Sequence, residues 1–107
     1  MSVDNFDYVD GIAVDEDGTT LIMLIADHLP WDEDFEFDHL TVLQDKIQVY
    51  CNYVETNQYN VVYPNAKIKR YRILIDFKHG MSENCIKFLD VVGKQLAPWN
   101  IEFVIQD

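Results

Sequence analysis

The first regular pattern along the chain is GIAVDEDGTTLIMLIAD, residues 11–27, two apolar runs flanking the acidic tetrapeptide DEDG. Aliphatic and β-branched runs around an Asp-Gly pair predict two strands joined by a tight hairpin, with Asp17 and Gly18 supplying left-handed turn positions. In the second strand, residues 19–26, both alternations are apolar: Leu21, Met23 and Ile25 on one face, Ile22, Leu24 and Ala26 on the other. A strand buried on both faces belongs in the middle of its sheet.

Pro30 ends that run, and residues 36–56 take up the helical period. Leu40, Leu43, Ile47, Tyr50, Cys51 and Val54 recur at three- and four-residue steps and predict a buried stripe about five turns long. The connection NQYNVVYPNA carries the turn signal Pro64-Asn65, with two tyrosines and two valines expected to fold back on the core. Residues 68–78 alternate again, with Tyr71, Ile73, Ile75 and Phe77 facing the core and Arg70, Arg72, Leu74, Asp76 and Lys78 facing away. His79-Gly80 closes this strand, and Ser82 is placed to cap a second amphipathic helix through Cys85, Phe88, Leu89, Val92 and Leu96, ended by Pro98. A last strand over residues 101–105 sets Ile101, Phe103 and Ile105 against Glu102, Val104 and Gln106.

The order is ββαβαβ, which predicts an α+β fold, an α/β two-layer sandwich. Right-handed crossovers place both helices on one face of a mixed four-stranded sheet. Residues 1–10 are expected to be a flexible acidic N-terminus and residues 11–107 a single α/β sandwich domain. The sheet face away from the helices, with the even-numbered apolar residues of the second strand, Leu74 and Val104, then needs a cover. A homodimer through this open face is one candidate; the other is shielding by Arg70, Arg72 and the loop over residues 59–63.

Charge changes the picture most. The formal net charge is −11, yet hydrophobic residues make up 49% of the chain, so the acid clothes a folded core instead of marking a disordered tail. Residues 1–45 hold 13 acids and no Lys or Arg, while residues 46–107 hold 6 acids and all 8 bases. These acids are expected to form one continuous outward-facing field. Such a field repels nucleic-acid phosphate and anionic membrane and attracts a basic protein partner. The run KIKRYR, residues 67–72, interleaves bases with an aromatic residue, but four bases in so acidic a chain fit internal pairing better than phosphate binding.

No apolar run reaches the ~20 residues of a membrane-spanning helix, and the first residues lack a signal-peptide pattern. Cys51 and Cys85 fall at apolar helix positions without a CxxC motif, which fits buried thiols in a reducing compartment, so the expected location is cytoplasmic.

The candidate chemistry lies in LIMLIADHLPWDEDFEFDHL, residues 21–40. If the strands ending at Asp27 and Lys78 run parallel, Asp27, His28, Lys78 and His79 meet at the sheet edge where open α/β folds bind ligands. His28 could then act as a general base oriented by Asp27, Asp32 or Asp38 beneath a Trp31 roof. Against an enzyme stand the lack of a nucleophile elbow, of a glycine-rich phosphate loop and of more than 4 glycines. A structural role fits better, with Asp27 capping the turn and His28 bonded to backbone. His28, His39 and His79 with nearby carboxylates lack the spacing of a zinc or calcium site, so neither a metal nor a cofactor is expected.

The segments DGIAVD, LIMLIADHLPW, LQDKIQVYCNYVETNQ, YPNA and KFLDVV together resemble a family of small acidic bacterial proteins classed as a domain of unknown function. The likeness spans residues 9–103. It implies a compact bacterial α/β domain whose recurring features are the Asp27-His28-Leu29 turn with Trp31, the helix over residues 43–50 and Tyr63-Pro64. It implies no activity. The leading expectation is therefore a non-enzymatic protein-binding module, an immunity- or antitoxin-like inhibitor of a basic partner. Trp31 would be its aromatic anchor, and Asp32, Glu33, Asp34, Glu36 and Asp38 its steering charges.

Overall fold

The computed structural model describes residues 3–106. Strand β1, Gly11–Val14, runs antiparallel to β2, Thr20–Asp27. Then follow helix α1, Glu36–Glu55, strand β3, Arg70–Phe77, helix α2, Glu83–Leu96, and strand β4, Ile101–Gln106. Strand order in the sheet is β1-β2-β3-β4, with β2, β3 and β4 mutually parallel. This is the mixed four-stranded α+β fold that the spacing predicts, with β2 and β3 central.

The pleat decides what is buried. Odd-numbered residues of β2 and β3 face the helices, so Leu21, Met23, Ile25, Ile73 and Ile75 pack with Leu43, Ile47, Tyr50, Cys85 and Leu89 in one cluster. On the opposite face Gly11, Leu24, Leu74 and Val104 stand in register across all four strands. Beside that row Arg72 reaches Glu102 (2.8 Å) and Asp15 (3.3 Å); of the four bases of the basic run it alone is ion-paired among the described residues, and one of its partners lies in the acidic half.

Local chemistry sets the turns. Between β1 and β2 only Gly18 has a left-handed φ, 72°, so the turn does not use Asp17 in that role. The Asp17 carboxylate instead accepts the amides of Thr19 and Thr20 (2.8 and 3.0 Å), and the Thr19 amide chiefly holds its pKa below the ordinary value. Ser82 caps α2 by accepting the Cys85 amide (3.1 Å). The loop after α1 departs from expectation. Its 3-10 turn, Gln58–Val61, buries Tyr59 beside Tyr71 on the helix-covered side, while Val61 and Val62 are exposed. It therefore does not shield the open sheet face.

The amino-terminal stretch, expected to be loose, carries anchors that its composition hides. Val3 is fully buried and its amide donates to the Ala26 carbonyl (2.9 Å), prolonging the edge of β2 beyond Gly11. Lys46, wholly enclosed, donates to the carbonyls of Asn5 and Tyr8 and to Asp10 Oδ1 (2.9 Å). Asp10 Oδ2 accepts the Ala26 amide (2.9 Å), and the Tyr50 hydroxyl donates to the Leu24 carbonyl while accepting the Asp10 amide. Burial is the main reason the Tyr50 hydroxyl has a raised pKa.

Candidate functional site

Parallel crossovers bring the carboxyl ends of β2 and β3 together with the amino ends of both helices. The Lys78 amide donates to the Asp27 carbonyl (2.9 Å), and Asn84 Nδ2 of α2 donates to Glu36 Oε1 of α1 (2.8 Å). The Asn84 contact and then Ser82 hold the Glu36 carboxyl below its usual range. In open α/β sheets this edge is where ligands bind, and bare helix amino ends there attract anions. Here Glu36, Asp38 and Glu83 in the first turns offset both dipoles, so the edge is unsuited to phosphate.

Asp27 continues the odd alternation of β2, so its carboxylate turns inward beneath α1. Both oxygens face His39 Nε2, at 2.9 and 2.7 Å, and Oδ1 also accepts the Leu29 amide (3.0 Å). The Asp27 and His39 side chains are 0% and 3% exposed. Trp31 stacks on the imidazole with ring centres 3.5 Å apart and planes 17° apart, and its Nε1–H donates to the Gly80 carbonyl (2.6 Å). Among the described residues, His39 Nδ1 has no hydrogen-bond partner.

The imidazole that Asp27 engages is thus His39, not His28. His28 is half exposed, with Nε2 3.9 Å from Asp4 Oδ2, and His79 is exposed just past the carboxyl end of β3, on the same sheet edge as Asp27. The missed histidine had a legible signal, since it lies four residues before Leu43 on the buried stripe. Cys85 lies near the pair, but its thiol is pushed up to about 12 by burial, then by the charges of Asp27 and Glu36. A raised pKa disfavours the thiolate at Cys85 near neutral pH, and Asp27, His39 and Trp31 form a packed knot beneath α1. Among the described residues, no three His, Cys, Asp or Glu side chains come together to hold a metal ion.

Outside this knot the chain turns polar. Asp32 Oδ1 accepts the Asp34 amide (2.9 Å) and its carbonyl accepts the Phe35 amide (3.0 Å), a turn that projects Asp32, Glu33 and Asp34 outward. Among the described residues, none of these three, nor Asp38, is paired with a Lys or Arg. Phe35 and Phe37 stand among them, 62% and 80% exposed. Trp31, expected to be the anchor, is instead half-buried as the cover of His39; the exposed aromatics among these acids are Phe35 and Phe37.

The expected continuous acidic field is broken up. Asp10 and Asp27 are buried with Lys46 and His39, Asp15 pairs with Arg72, and the acids of the hairpin turn lie at the opposite end of β2 from Asp32, roughly 25 Å away. What survives is a compact patch at the start of α1.

The model of the family described as "Family of unknown function (DUF6572)" matches residues 1–107. The chain belongs to this family. Neither the curated proteins nor the solved structures returned a match. Among the described residues of this DUF6572 member, no helix is long and apolar enough to cross a membrane.

Proposed function

We propose that this protein is a non-enzymatic binding module that docks a basic protein through the start of α1, in the manner of an immunity protein or antitoxin. The observation that carries the reading is the exposure of Phe35 and Phe37 amid Asp32, Glu33, Asp34 and Asp38. Large exposed aromatics are costly in water and are the side chains that dominate protein interfaces once buried. The surrounding carboxylates accelerate encounter with a positive surface and reject acidic partners. A small acidic domain of this kind can plug a cationic, phosphate-binding cleft without chemistry of its own. The Asp27–His39–Trp31 knot beneath then serves to fix the platform.

A photo-crosslinking residue placed at 35 or 37, with a control at Val61, tests this in the native host. Both patch positions should trap the same basic protein, and reversing charge at Asp32, Glu33 and Asp34 to lysine should abolish the product. A product equal at Val61, or one indifferent to charge reversal, would contradict the reading.

A further inference from the structure

The two edges of the sheet are built differently. At one edge β1 is four residues long, begins on Gly11 and is bounded by Asp10, Asp15, Glu16 and Asp17, the short, charge-flanked kind of edge that resists pairing with another chain. At the other edge β4 is six residues long, IEFVIQ, in unbroken register with β3 and without proline or glycine. Its single charged side chain, Glu102, is taken up by Arg72 (2.8 Å). The Tyr71 amide donates to the Asn100 carbonyl (2.8 Å), which sets the phase of the parallel ladder: even-numbered residues of β4 bond to β3, and the amides and carbonyls of Ile101, Phe103 and Ile105 point away from the sheet. Among the described residues these outward groups have no hydrogen-bond partner. Burial is incomplete at the same place. Ile73 and Ile75 of β3 are fully buried, whereas their register neighbours Phe103 and Ile105 are half-buried and Val104, on the other face, is 37% exposed. A Cβ on Gly93 would lie 3.6 Å from Phe103 Cδ2, so this flank of α2 lies over β4, and Ile86, two turns earlier on the same flank, is 53% exposed.

An extended strand is the partner that matches a row of unpaired amides and carbonyls. We propose that β4 pairs antiparallel with β4 of a second copy of this chain, about a two-fold axis at Phe103, joining the two sheets into one. Ile101 then exchanges both backbone bonds with Ile105 of the other copy, and Phe103 with its own counterpart, so every outward group is used. Moving the axis to Glu102 would leave Ile105 without a strand partner and set the two Glu102 side chains against each other. With the axis at Phe103, Glu102 faces Val104 and no like charges meet. Beside this flank of α2, Asp90 and Lys94 are paired with each other (3.1 Å) and add no net charge. The open sheet face is a poorer dimer surface, because Leu24 and Leu74 are already half-buried and Arg72 crosses it with its two carboxylates. The copies run in opposite directions, so the patches at the starts of the two α1 helices lie at opposite ends of the joined sheet and stay free. The pairing does not depend on the docking function above.

Sedimentation velocity from micromolar to millimolar protein, with amide hydrogen exchange followed by NMR over the same range, tests the pairing. A monomer in equilibrium with a dimer is expected. In the dimer the amides of Phe103 and Ile105 should exchange at least about tenfold more slowly than in the monomer. Those of Ile12 and Val14, which point outward from β1 because the Asp15 amide bonds to the Thr20 carbonyl, should not change. Val104→Glu, which sets like charges across the strand pair twice, should raise the dissociation constant about tenfold, whereas Val104→Lys, facing Glu102, should not raise it. Each copy carries a formal charge of −11, so association should tighten as salt rises. A strict monomer at millimolar protein, a dimer whose Phe103 and Ile105 amides exchange as fast as in the monomer, equal effects of the two substitutions at Val104, or association that weakens with salt would overturn the proposal.

Discussion

Lys46 and His39 are the residues on which the polar interior depends. Each is a helix side chain sunk among apolar neighbours, and each has a carboxylate opposite it, Asp10 and Asp27. Burying such a pair gains little over an apolar equivalent, but removing one partner strands a charge in a medium that cannot solvate it. Lys46→Met leaves Asp10 with only the Ala26 amide and removes the Lys46 donor from the carbonyls of Asn5 and Tyr8, and His39→Leu leaves Asp27 with the Leu29 amide. Each should lower unfolding free energy in urea by ~3–5 kcal/mol, whereas Phe37→Ala on the exposed patch should stay within about 0.5 kcal/mol. Both buried residues lie on the α1 stripe, Lys46 three residues after Leu43 and four before Tyr50, so their position is readable from spacing alone. Their partners are not, because nothing local announces that Asp10 folds back onto a helix 36 residues later.

At the scale of elements, period carried most of the information. Alternation in β2 and β3 and the three-four repeat in both helices follow from which face must leave water, so the sheet, its central strands and the helix-covered side are legible. The loop after α1 was not, since tyrosine and valine side by side show no period, and only packing decides that Tyr59 turns in while Val61 and Val62 turn out. Helix α2 offers a test of seating. Cys85, in its first turn, is fully buried, and burial raises the pKa of its thiol. Its thiol should resist a disulfide reagent at pH 8 until α2 detaches, with modification tracking unfolding as urea rises. The sign with pH follows from the folded-state pKa being raised. The stability linked to this thiol is intact below its ordinary value of 9.0 and declines as pH climbs from there toward about 12. Melting temperatures measured across alkaline pH should therefore fall more steeply for the wild type than for Cys85→Ala. Parallel curves would show that Cys85 is not the responsible group.

For the whole molecule, the charge imbalance was plain in the sequence, but the number of acids overstated the surface they make. Several are consumed in holding the fold: Asp10 under Lys46, Asp27 under His39, Asp15 on Arg72 and Asp17 in its turn. The acids left outward at the start of α1 gain their meaning from the two phenylalanines beside them, whose exposure no count of residues discloses. The account's central claim is that this one end of the molecule captures a positive surface by electrostatic steering onto an aromatic anchor. The most direct test is the association rate with the crosslinked partner, measured against salt for the wild type and for a variant with Asp32, Glu33 and Asp34 changed to lysine. The account predicts a rate that falls steeply with salt in the wild type and is about tenfold or more lower in the variant at low salt, with the melting temperatures of the two alike. An association rate independent of both salt and charge reversal would contradict it.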